Sequence, residues 1–176
     1  NTTNTIFEQI KEIDENGNFI NNYYNEEDRP ESGDIYKMVI GRTTKICSVS
    51  SMIKKSVLEK LGYYDEDLAY EDLDLWIRTS RDFEFEYIPE ILAKKRIVSD
   101  SLSSHFLIKN NARAKKLNES TLKILVKAYH LNKTKDEYKA LLGRIRFEMY
   151  KFIKAKHFKL LFKLFLLEIK VRLKSI

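Results

Sequence analysis

Glu71, Asp72 and Asp74 stand together in LAYEDLDLWIRTS, residues 68–80, with Arg78 and the chain's single tryptophan, Trp76, close behind. A carboxylate that takes a proton from an attacking hydroxyl must be ionised, within hydrogen-bond reach and held on a rigid element. A helix N-terminus opening on a cleft meets those needs, and its dipole favours an ionised carboxylate. The same acids also read as ordinary helix-start charge, stabilising by roughly 0.3–1 kcal/mol each. Asp74 and Arg78 are spaced i,i+4 and read as a structural pair on the helix. Trp76, spaced with Leu73 and Ile77, reads as core more readily than as an aromatic stacking platform.

Other constellations carry little chemistry. Cys47 has no histidine near it in sequence, so it reads as packed, and a lone cysteine suits a reducing compartment. Three scattered histidines make no metal motif. Ser48-Val-Ser-Ser51 lacks the glycines of a hydrolase elbow.

The positioning elements follow from pattern. Residues 5–13 alternate only loosely, leaving strand and short helix open. Asn16-Gly17 suits a tight hairpin turn, with 19–24 as the returning strand. Residues 25–34 form an acidic loop, and 35–40 a short helix or strand ended by Gly41. A β-leaning run over 46–53 leads into a helix over 54–61, stopped by Gly62. A helix is predicted over 70–80, burying Leu73, Trp76 and Ile77. Residues 83–88 alternate cleanly as a strand, Pro89 and Glu90 break it, and 91–98 form a second strand. Helices are then predicted over 104–117, 119–131, 134–155 and 157–175, with a capping box at Thr134 and Glu137.

Charge divides the chain. Residues 1–100 hold 13 Lys+Arg against 21 Asp+Glu, a net −8; residues 101–176 hold 19 against 5, a net +14. The second region therefore suits an anionic partner. The start, NTTNTIFEQI, has no basic or apolar leader region and no initiator methionine, so the expectation is a piece of a longer protein.

Several pieces in one order carry a family resemblance. They are the small-residue segment and basic helix of 50–56, GYYDE at 62–66, EDLDLWIR at 71–78, the aromatic strand FEFEYIP at 83–89, and Arg96 at a strand end. Together, over about residues 10–105, they resemble the second half of a family 2 glycosyltransferase of the GT-A fold. The implied architecture is α/β: a few strands with helices in 1–105, the acceptor-side part, then a basic all-helical extension in 106–176. The resemblance implies inverting sugar transfer from a nucleotide-sugar donor to a glycan or lipid-linked acceptor in cell-surface polysaccharide synthesis. It makes Asp72 the catalytic base and places Glu71, Ser50, Ser51, Trp76 and Arg96 at the substrate. Arg96 would touch phosphate; its other reading is a surface strand-end arginine.

Two departures matter. The family's donor half, with its βαβ unit and the Asp-x-Asp that holds Mg²⁺ or Mn²⁺, has no counterpart here. The cation is thus expected in the longer parent and none in this chain, and these residues alone are not expected to turn over donor. Where many relatives carry a histidine two residues after the arginine, this chain has Val98; His105 is a displaced substitute or an ordinary helix-start residue.

Residues 157–175 are amphipathic, with lysines on one side and Phe and Leu on the other. They read as a final bundle helix, as a peripheral membrane contact, or as both. The expected location is cytoplasmic, on the inner face of a membrane where that contact forms. No nucleic-acid module is recognised. The rival readings are a non-enzymatic adaptor whose basic helices bind an anionic surface or a partner, and a pseudo-enzyme.

Overall fold

A computed structural model describes residues 4–27, 29–41, 45–99, 101–109 and 111–176, without the side chains of 102 and 103. Position 28 of the acidic loop and position 110 of the predicted 104–117 helix lie outside the described residues.

The sheet is built around β1 (Thr5–Ile13). β4 (Phe85–Arg96) runs parallel to β1 along its whole length, from Thr5↔Phe85 to Ile13↔Arg96. The opposite edge is shared by β3 (Ser51–Ile53) at the N-terminal half and β2 (Phe19–Asn22) at the C-terminal half, both antiparallel. The register of β1 against β4 shifts at Glu8/Gln9 and Gln9/Ile10. Beside this irregularity Phe7 and Ile10 are both fully buried although three residues apart, the burial pattern behind the poor alternation of residues 5–13. The same irregularity corrects the expectation of two strands broken at Pro89. Glu8 pairs with Ile88 and Gln9 with Ile91, so Pro89 sits in a bulge where no ladder N–H is needed, and one strand continues through it.

The β1–β2 turn forms as the Asn-Gly signal predicts. Gly17 has φ 93°, and the Asp14 carboxylate accepts from the Asn16 and Asn18 backbone N–H groups at 2.9 and 2.8 Å. Residues 35–40 resolve as helix, α1 (Tyr36–Gly41). Residues 46–53 give a single 3-10 turn, Ser48–Ser50, before the short β3. α2 (Lys55–Leu61) ends at Gly62, whose φ of 80° closes the helix as its N–H donates to Leu58 O. A Cβ there meets the left-handed penalty, so Gly62→Ala is expected to cost about 1 kcal/mol, measurable as a lower urea midpoint. α3 (Asp72–Asp82) starts two residues later than predicted and buries Leu75, Trp76 and Ile77, with Leu73 only half-buried.

The C-terminal region is helical, with one regrouping. Instead of helices over 104–117 and 119–131 there is a 3-10 segment, Leu102–Leu107, and then one long helix, α4 (Ala112–Leu131). Asn111 supplies the cap, accepting from Ala114 N at 3.0 Å, so the helix starts there and no break follows. α5 (Lys135–Lys154) carries the predicted Thr134–Glu137 capping box, and α6 (Phe158–Ser175) packs along α5. The fold is thus mixed α/β, a four-stranded mixed sheet with helices followed by a helical C-terminal region. One apolar core joins Phe7 and Phe85 of the sheet to Leu75 and Trp76 of α3, to Ile124 of α4 and to Leu141, Ile145 and Phe152 of α5. No helix among the described residues is long and apolar enough to cross a membrane.

Candidate functional site

Asp72 opens α3 and faces a cleft of about 520 Å³. The N–H of Leu73 donates to its Oδ1 at 2.7 Å, and among the described residues no ion pair holds it. The side chain is half-buried. Burial pushes its carboxyl above the usual aspartate range, the Glu71 charge adds to that, and the Leu73 N–H and the Arg144 charge only partly oppose it. The helix start favours the ionised form of Asp72, but desolvation is the larger effect. The outcome is a carboxylate more basic than a surface aspartate.

Asp74, two residues on, does a different job. It is 1 % exposed, accepts from Arg78 Nε at 2.8 Å and from Lys127 Nζ at 2.8 Å. Arg78 also donates to the carbonyls of Leu61 and Tyr63, both at 2.8 Å, and Lys127 pairs with Asp65 at 2.5 Å. The pair predicted on the helix therefore anchors the first part of the loop between α2 and α3, at Leu61, Tyr63 and Asp65, and ties it to α4.

The remaining predicted residues divide. Glu71 is exposed beside Asp72, with its side chain making no cap bond. Trp76 packs as core and borders the cleft. It is 4 % exposed and packs edge-on to Phe85 with centroids 6.2 Å apart, yet it also lines the cleft, and its buried Nε1 has no hydrogen-bond partner among the described residues. Ser50 and Ser51 direct their hydroxyls at backbone carbonyls of Cys47 and Ser48, at 3.2 and 3.1 Å; the cleft wall there is made by Cys47, Ser48 and Val49. Burial pushes the Cys47 thiol up, so it stays protonated and unreactive. Arg96 lies outside the cleft and is exposed. Its Nη1 donates to the carbonyls of Asp14 and Glu15 at 3.0 and 2.8 Å, pinning the β1–β2 turn.

The lysine one residue earlier reaches the cleft instead. Lys95 pairs with Glu12 at 3.0 Å and lies 4.7 Å over the Tyr23 ring, which Lys45 also approaches at 5.9 Å. The far wall comes from α5. Glu148, 1 % exposed, is held between Arg144 at 3.1 Å and Lys151 at 2.6 Å, and Lys151 lies 4.6 Å over the Phe106 ring. All of these line the cleft except Glu12, so its charged wall is Lys45, Lys95, Arg144 and Lys151 against Asp72 and Glu148. Sequence reasoning missed the α5 contribution. The i, i+4, i+7 spacing of Arg144, Glu148 and Lys151 marks one helix face, but nothing local says what that face meets.

Over 122 residues this chain is 28 % identical to an uncharacterized glycosyltransferase of Methanocaldococcus jannaschii. The chain is similar to a glycosyltransferase. The match takes in 63 % of this chain and 41 % of the relative, so less than half of the relative's length is represented. No protein-family description matches the chain, and no solved structure matches it.

Proposed function

We propose that this chain is the acceptor-side part of an inverting, family 2-like glycosyltransferase of the GT-A fold. In this proposal the longer protein moves a hexosyl group from a nucleotide-sugar donor to a glycan or glycolipid in cell-surface polysaccharide synthesis. The observation that carries it is the half-buried carboxylate of Asp72, unpaired among the described residues, on the wall of a cleft. The similarity to a glycosyltransferase supports the same class.

In the transfer step an Asp72 oxygen takes the proton of the acceptor hydroxyl. That hydroxyl oxygen bonds to the anomeric carbon as the bond from carbon to diphosphate oxygen breaks. The nucleoside diphosphate leaves with the bonding pair, and the configuration inverts. Glu71 at the rim would accept hydrogen bonds from acceptor hydroxyls, and Trp76 would contribute to the cleft wall. Ser50 and Ser51 shape the loop that presents Cys47, Ser48 and Val49. The cationic excess of the wall suits a phosphate-bearing substrate, with Lys45 and Lys95 placed for the contact first assigned to Arg96.

The division into an acceptor-side part over 1–105 and a helical extension over 106–176 belongs to this proposal, with α5 completing the cleft. Among the described residues the acids do not gather into a divalent-cation site. Asp74 is already held by two cations, and among the described residues no group of three His, Cys, Asp or Glu could hold one. In this proposal the donor and any Mg²⁺ or Mn²⁺ are held by residues outside this chain, on the cytoplasmic side, and these 176 residues alone are not expected to turn over donor.

Asp72→Asn in the longer protein separates this proposal from the adaptor and pseudo-enzyme alternatives: a transferase loses turnover, while the others have none to lose. A pH profile supplies a second check. Because the base must be ionised, transfer should be present above the raised Asp72 pKa and lost as pH falls through it. The acid limb of kcat/KM is accordingly expected above the ordinary aspartate range; a limb at about pH 4 would count against Asp72.

A further inference from the structure

The outward face of α6 is apolar where a helix of a water-soluble bundle is expected to be polar. Leu160, Leu164, Leu167 and Val171 are buried and account for the packing of α6 on its neighbours. On the other side, Phe158, Phe162, Phe165, Leu166, Ile169 and Leu173 are all exposed, Phe162 at 63 % and Leu173 at 71 %. At helical spacing these six fall within about 100° of the circumference, so they form one continuous stripe and not scattered surface residues. Lys159, Lys163, Lys170 and Lys174 occupy the next arc of about 60° along the same edge. Among the described residues none of these four is in an ion pair, and all are exposed.

Charge selects the occupant. The one acid of α6, Glu168, is on the buried side, where Arg172 and Arg146 hold it at 2.8 and 3.3 Å. A second copy laid on this face would bring four more lysines against the first four and no carboxylate from α6 to meet them. An anionic lipid surface offers an apolar layer at the depth of the stripe and negative head groups at the level of the lysines. We propose that α6 is a peripheral membrane-docking helix that lies in the interface of an anionic bilayer, inserting the Phe158–Leu173 stripe while its opposite face stays packed on the protein. This proposal goes beyond the transferase assignment and does not depend on it.

Co-sedimentation of the 176-residue chain with vesicles tests it. The expected result is binding to phosphatidylcholine vesicles containing about 30 % phosphatidylglycerol, weakening as salt shortens the Debye length. Vesicles of phosphatidylcholine alone should bind poorly. Lys163→Gln with Lys170→Gln should lower partitioning about 30-fold, at about fivefold per charge. Phe162→Ser with Phe165→Ser should lower it at least about tenfold. All four side chains are exposed, so circular dichroism should show unchanged folding. Three outcomes would overturn the proposal: no sedimentation, sedimentation indifferent to lipid charge, or a dimer in analytical ultracentrifugation that the phenylalanine variants dissociate while vesicle binding is absent.

Discussion

Asp72→Asn is expected to lower sugar transfer by the longer protein about 10³-fold while leaving the fold at least as stable as before. The first half follows from the role assigned above. Asparagine keeps the shape, and its oxygen can still accept from Leu73 N, but it cannot take a proton. The second half follows from linkage. Burial raises the Asp72 carboxyl pKa in the folded state, so the unfolded chain ionises first as pH rises. Above the folded pKa the charge therefore favours unfolding, and below the unfolded pKa it has no effect. Removing the charge at neutral pH removes a penalty, and the thermal midpoint should hold or rise. Transfer assayed with nucleotide-sugar donor, beside a melt of the same variant, checks both. Retained turnover, or a clear loss of stability, would show that Asp72 is an ordinary structural acid. Asp72→Glu serves as the intermediate case, since it restores a base displaced by one methylene.

Asp74→Ala should do the opposite, destabilising the chain by about 3 kcal/mol. Two cations converge on this buried carboxylate, and removing it leaves both without their partner. Arg78 is 18 % and Lys127 37 % exposed, so water recovers part of the loss and the lower end of the range for a broken buried pair applies. For a chain of this size that is a fall in Tm of roughly 6–12 °C. The damage should spread to residues 61–65, where Arg78 holds the carbonyls of Leu61 and Tyr63 and Tyr63 has φ 63°, so their amides should exchange faster. A Tm within about 2 °C of the parent chain would contradict the ion-pair network.

Much of the local structure was legible before any coordinates. The Asn16-Gly17 turn, the Gly62 stop and the Thr134–Glu137 capping box each depend on residues within four positions of one another. Their chemistry does not need the rest of the chain. The misreadings arose where a distant partner changed a local rule. Pro89 ends a strand only if its absent N–H is needed, and the bulge opposite Glu8–Ile10 removes the need. Residues 102–131 contain no breaker to say where one helix begins, and the Asn111 cap decided it.

For the site itself, sequence alone determined that acids cluster at the start of α3, that Asp74 can reach Arg78, and that α6 has an apolar and a basic side. Only the tertiary structure shows what each of the two aspartates meets. Asp72 and Asp74 are the same residue type two positions apart, so propensity and charge cannot separate them. The helix turns them about 200° apart, one toward an open cleft and the other toward Lys127 of α4 and the loop that Arg78 grips. The α5 wall of the cleft and the second, outward apolar stripe of α6 were settled in the same way. A periodic pattern states that a helix has a face, and only packing between segments distant in sequence states which face is covered.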